Sequence, residues 1–202
     1  MGNELQKPGQ TGLQLKGNPS FVANGDNNMQ VGYIQQQTNY YTGMYGMGYM
    51  PAIVNSEYYN LIVADQNALD GMVVIPKRYA LNDFTDDPIR EIFAKPELAA
   101  ADEIKKLPSL FLIRNRNGRH SDPGQYAAVG YVMDIKMKGD SIIIQYSTTQ
   151  QILQERLNEL EEELCLKSAP ERNELDCVHW AIKKVNLIQV IQEQNLFQVM
   201  TR

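Results

Sequence analysis

The sequence predicts an α+β fold: a small, strongly bent β-sheet or partly closed barrel with packed helices, preceded by a disordered N-terminal segment. Three observations carry this expectation. Short β-rich runs recur from Tyr58 onward, each bounded by turn residues. Only a few stretches between them space their apolar residues three and four apart, as a helix does. Residues 1–56 hold just Glu4, Lys7, Lys16 and Asp26 as charges, and few aliphatics, so any core has to come from the rest of the chain.

The first residues carry turn chemistry, Lys7-Pro8-Gly9-Gln10-Thr11-Gly12 and Gly17-Asn18-Pro19-Ser20. From Asn27 to Ser56 there is no Asp, Glu, Lys, Arg or His; Asn, Gln, Gly, Tyr and Met dominate. Within Met29–Ile34, Met29, Val31 and Tyr33 alternate with Gln30 and Gly32, the period of a strand. We therefore divide the chain into an interaction segment, residues 1–50, and a folded α+β domain, residues 51–202.

In that domain Tyr58–Ala64 and Gly71–Ile75 read as strands, with Pro76 closing the second. Asp86-Asp87-Pro88 opens a helix in which Ile89, Ile92 and Phe93 share a face. Pro96 opens another, expected to stop at Pro108. Leu110–Ile113 is a compact apolar strand, Arg114–Gly124 a polar loop, and Tyr126–Met137 a long strand in which Gly130 marks a bulge. Lys138-Gly139-Asp140 is a hairpin turn into the strand Ser141–Tyr146. Ser147-Thr148-Thr149 is expected to cap a helix bearing Leu153, Leu157, Leu160 and Leu164, whose leucines pack on the chain's own sheet. Cys177–Val185 alternates as a strand, and Leu187–Gln194 forms a closing helix.

A net charge of −5 disfavours broad, nonspecific phosphate binding and leaves room for a local basic patch. Cys165 and Cys177, the two cysteines, make no disulfide framework. The N-terminus lacks the apolar stretch of a secretory signal, and no apolar run reaches the roughly 18 residues of a spanning helix. A cytoplasmic protein without membrane contact is the expectation.

Chemistry-bearing residues are sparse. No Gly-rich phosphate loop, nucleophile elbow or paired metal-ligand spacing is present in the sequence, so neither enzyme activity nor a metal or other cofactor is expected. Arg114, Arg116 and Arg119 crowd one loop with His120, and Lys136 and Lys138 lie on a neighbouring hairpin. With His179, Trp180 and Lys183, the three arginines form the candidate ligand-binding set, suited to a phosphate and a stacked base. For Trp180 the competing role is a core anchor whose N–H is satisfied locally.

Met29-Gln30-Val31-Gly32 resembles the core tetrad of the receptor-interacting homotypic interaction motif, with Met29 where Ile or Val is usual. The flanks Gly25-Asp26-Asn27-Asn28 and Gln35-Gln36-Gln37-Thr38-Asn39 resemble bacterial amyloid-signalling sequences. That resemblance implies pairing by templated β-stacking through Asn28, Met29, Gln30, Val31, Gly32, Tyr33 and Ile34, with the chain itself or a protein bearing a like motif as partner. Ile75–Leu81, Gly130–Ile135 and Glu174–Leu187 are similar to an uncharacterised bacterial domain family that follows GDNN-type leaders, with Cys177-Val178 replacing the family's Arg-Thr. That family brings no established activity but includes proteins associated with bacterial defence or effector modules; with the interaction motif, the expectation is a non-enzymatic adaptor or effector-associated protein of antiphage-type defence. The alternative is a small-barrel module that binds nucleic acid or a nucleotide.

Overall fold

The computed structural model describes residues 49–65, 70–93 and 98–196. The chain divides into two units, Met1–Tyr40 and Tyr41–Arg202. The first unit, and with it the Asn28–Ile34 motif, lies outside the described residues.

The second unit is a mixed α/β structure around a six-stranded mixed sheet. Its strands are β1 (Tyr59–Ala64), β2 (Met72–Pro76), β3 (Pro108–Ile113), β4 (Tyr126–Lys138), β5 (Ser141–Leu153) and β8 (His179–Lys183). They lie in the order β2-β5-β4-β3-β1-β8. β1 runs parallel to β3 and every other neighbour is antiparallel. A separate two-stranded ribbon pairs β6 (Ser168–Ala169) with β7 (Arg172–Asn173). The helices are α1 (Asp87–Phe93), α2 (Leu98–Lys105), α3 (Gln154–Asn158) and α4 (Leu187–Glu193). No helix among the described residues is long and apolar enough to cross a membrane.

Period-two alternation along the strands sends apolar side chains to both faces, so the sheet is sandwiched between two cores. One core draws on all six strands, with Ile62, Ile75, Phe111, Val132, Ile144 and Trp180, and is covered by Ile89 and Phe93 of α1 and Ile104 of α2. Phe111 and Tyr146 stack within it, ring centroids 3.8 Å apart. The other core packs Tyr59, Leu61, Leu110, Val129 and Ile152 against Leu157, Leu160, Leu164, Leu187 and Ile191. The sheet is not closed. After β2 the chain turns through a 3₁₀ segment, Lys77–Tyr79, and meets β8 at one bridge, Ala80 to Trp180, where Leu81 N–H donates to the Trp180 carbonyl at 2.7 Å.

Two expectations need correction. Pro108 does not merely stop a helix; it is the first residue of β3, paired with Tyr131. Ser147-Thr148-Thr149 does not cap a helix either. β5 continues through it to Leu153, because Ser147 and Thr148 pair with Tyr131 and Gly130 and the residues after them pair along Tyr126–Val129. The helix shrinks to α3, and the leucines at 160 and 164 are carried by turns beyond its end.

Gly130 stands at a register shift of the β4–β5 hairpin, as its bulge reading expects. A Cβ there would lie 1.7 Å from the Ser147 carbonyl oxygen. Only glycine permits that approach.

Candidate functional site

The described residues enclose a cleft of about 1260 Å³ beside the open edge of β2. One bank is β2 itself, through Met72, Val73, Val74 and Pro76, followed by Arg78 and Tyr79. The other is the stretch Glu171 to Val178 that leads into β8, of which Arg172, Asp176, Cys177 and Val178 take part. The loop after β3 closes the end with Arg114, Asn115 and Arg116. Arg78, Arg114, Arg116 and Arg172 thus converge from three separate parts of the chain.

Their partners differ. Arg114 Nε is paired with Asp65 at 2.7 Å. Arg78 places its guanidinium 4.6 Å from the centre of the Tyr79 ring. Arg116 and Arg172 are exposed and make no ion pair or side-chain hydrogen bond among the described residues. Asp70 and Glu171 bring negative charge to the rim, and Asp176 is committed elsewhere, accepting from the Asn115 amide at 2.9 Å and from the Arg119 and Asn173 main-chain N–H groups.

The loop that carries Arg114 and Arg116 is held by a buried amide network. Asn115 donates to Asn158 at 2.8 Å and to Asp176, accepts from Gln154 at 2.9 Å, and its N–H bonds the Leu175 carbonyl. Gly118 lets this loop approach the Glu171 carbonyl, which a Cβ would meet at 2.9 Å. Arg119, in the left-handed region at φ 58, turns away from the cleft: its guanidinium binds Glu161 at 2.7 Å and the Ala169 carbonyl at 3.0 Å. His120 lies against Glu155 at 2.9 Å. The His120 and Ser121 hydrogen bonds hold the Glu155 carboxyl down to about 2. The Ser121 hydroxyl donates to that carboxylate rather than to the imidazole, so Ser121 and His120 do not form a serine–histidine pair.

His179, Trp180 and Lys183 are placed in the interior. Trp180 donates its indole N–H to Asn60 at 3.2 Å, the core-anchor role. His179 and Glu174 have no exposed side-chain surface and meet at 2.9 Å. Lys183 Nζ reaches the other Glu174 oxygen at 2.6 Å and the Phe84 carbonyl at 2.9 Å. Burial pushes the Glu174 carboxyl up, but the His179 and Lys183 contacts and the Lys167 N–H outweigh it, and the group stays below its ordinary value. His179 Nδ1 faces the Cys177 carbonyl at 2.7 Å, so both ring nitrogens face oxygen atoms. This triad fixes the 174–178 bank of the cleft from behind.

Of the six residues the sequence singled out for binding, the structure therefore gathers two, Arg114 and Arg116, at one cleft. Arg78 and Arg172 join them unannounced. Arg78 lies in the 3₁₀ segment after β2 and Arg172 opens β7, far apart in sequence, and both line the cleft. No family model, curated protein or solved structure matches the chain.

Proposed function

We propose that this chain is a non-enzymatic adaptor: its folded unit captures a ligand bearing negative charge in the arginine-lined cleft, and its charge-free N-terminal segment assembles copies or partners by β-stacking. The convergence of Arg78, Arg114, Arg116 and Arg172 on one cleft carries the reading. Guanidinium groups are planar, permanently charged and suited to bidentate grip on carboxylates and phosphates. Two of these four have no partner among the described residues, so a ligand need not break an existing bond to engage them.

We read the open six-stranded sheet as a partly closed barrel. The Ala80–Trp180 bridge and a core supplied by all six strands support this, and the cleft is then the gap that closure leaves. A non-catalytic role fits the sealed position of the Glu174–His179 pair and the arrangement of Ser121, Glu155 and His120, in which the hydroxyl meets only a carboxylate held down to about 2, a weak base.

The nucleic-acid or nucleotide reading draws support from Arg78 over Tyr79, a flat platform for a base. Against it, as many carboxylates as arginines line the cleft, and the chain is acidic overall. Fluorescence anisotropy of the full chain with labelled polyglutamate and labelled oligothymidylate tests the proposal. Polyglutamate should bind, and R116A/R172A should weaken it about tenfold, the loss of charge-assisted hydrogen bonds. Binding of neither probe, or equal binding by the double variant, contradicts the cleft assignment. Light scattering tests the assembly arm: Val31→Asp should abolish self-association, since every stacked layer repeats the inserted charge.

A further inference from the structure

The hydrogen-bond parity of β2 decides what the cleft offers beyond charge. The Gly71 carbonyl accepts from Tyr146 N–H at 2.9 Å and Lys77 N–H donates to the Asp140 carbonyl at 2.8 Å. Both are in register with the pairs Met72↔Gln145 to Pro76↔Ser141. Residues two apart in a strand send their main-chain groups to the same side. Val73 and Ile75 therefore face β5, while Met72, Val74 and Pro76 direct theirs away from it. The N–H groups of Met72 and Val74, and the carbonyls of all three, have no backbone partner among the described residues. The side chains of Met72 and Val74 are each 48% exposed.

Natural proteins blunt such an edge with lysine, proline or a covering segment. Among the described residues Pro76 and Lys77 protect only the end of the strand, and the rest of its edge forms a bank of the cleft. Resting on the cleft reading above, we propose that the ligand is an extended acidic peptide segment of a partner protein, which adds to β2 as a further strand and sets its carboxylates against Arg116 and Arg172. An alternating series of main-chain donors and acceptors is matched by another peptide backbone, and strand addition supplies affinity while side-chain contacts supply choice. A phosphate chain would satisfy the arginines yet leave the β2 donors unused. Charge complementarity selects acidic segments, because Arg116 and Arg172 are the uncommitted cations of the cleft.

The test uses the full chain and a fluorescein-labelled peptide of alternating Glu and Val. Anisotropy should report binding that falls about tenfold or more in Val74→Pro, which removes one outward N–H that β5 does not use. Val74→Thr, which keeps that N–H, should bind markedly more tightly than Val74→Pro. Should V74P fail to fold, amide hydrogen exchange of the parent protein decides: saturating peptide should slow exchange at Met72 and Val74 and leave Val73 and Ile75 unchanged. If R116A/R172A weakens binding while V74P and the two amides do not respond, the anion site stands and strand addition is overturned. Binding of oligothymidylate in place of the peptide overturns it in favour of nucleic acid. Protection of Met72 and Val74 that grows with protein concentration alone assigns the edge to a second copy, which also overturns it. If neither probe binds, the cleft reading falls as well.

Discussion

Glu174 lies between His179 and Lys183 with none of its own side-chain surface exposed; its oxygens accept from Lys183 and the Lys167 main chain and face the His179 ring. Removing one member of a buried ion cluster leaves the others uncompensated, so Glu174→Gln should destabilise the fold by about 3 kcal/mol or more, read from urea unfolding. The same residue sets a pH dependence. Its folded value is depressed below 4.5, so its stabilisation is complete above about pH 4.5 and is lost as pH falls through the folded value. Glu155, held down to about 2, adds a second, more solvent-screened contribution over the window from 4.5 to 2. Midpoints of unfolding should therefore drop steeply below pH 4.5 in the parent and less steeply in E174Q. The sequence set Trp180 on a binding face with His179 and Lys183 and left a core anchor as its competing role; the structure shows the anchor, with all three residues in the interior. In β8 every side chain is buried, the loop through Phe84 and Thr85 covering the strand's polar positions, and that cover comes from a segment far away in sequence.

At the scale of elements, the β4–β5 hairpin governs the fold and shows where local reading stops. Gly130 was legible as a bulge because a glycine within a long apolar strand has few other uses. The continuation of β5 through Ser147–Leu153 was not. Ser, Thr and Leu at those spacings serve a capped helix equally well, and only pairing with Tyr126–Gly130 decides for the strand. The leucine stripe still delivered the right contacts: Leu157, Leu160 and Leu164 reach the second core although only the first is helical. Gly130→Ala should cost about 3 kcal/mol, since a Cβ cannot occupy space 1.7 Å from the Ser147 oxygen without shifting the hairpin. Thermal denaturation checks this; an unchanged midpoint would mean that the bulge adapts freely.

At the scale of the folded unit, the sheet is open, and the segment after β2 meets β8 at the Ala80–Trp180 bridge; the arginines gather in the cleft along β2. A polar loop in the sequence announced Arg114 and Arg116, but Arg78 and Arg172 join them only in the folded unit, from segments that no local residue pattern connects. Arg119, three positions beyond a cleft residue, is spent on Glu161 and the Ala169 carbonyl, because its left-handed backbone reverses the direction of the loop. Charge in the cleft is balanced, with Asp65, Asp70, Glu171 and Asp176 facing the arginines, so selectivity has to come from the uncommitted pair rather than from the overall field.

The most direct measurement of the central claim is the salt dependence of acidic-peptide binding by the full chain, compared with R116A/R172A. Exposed charges are screened over about 8 Å at physiological ionic strength. Affinity should fall as salt rises in the parent protein, and the double variant should bind more weakly with a markedly shallower salt slope. Equal affinity and equal slope in the two proteins would contradict it.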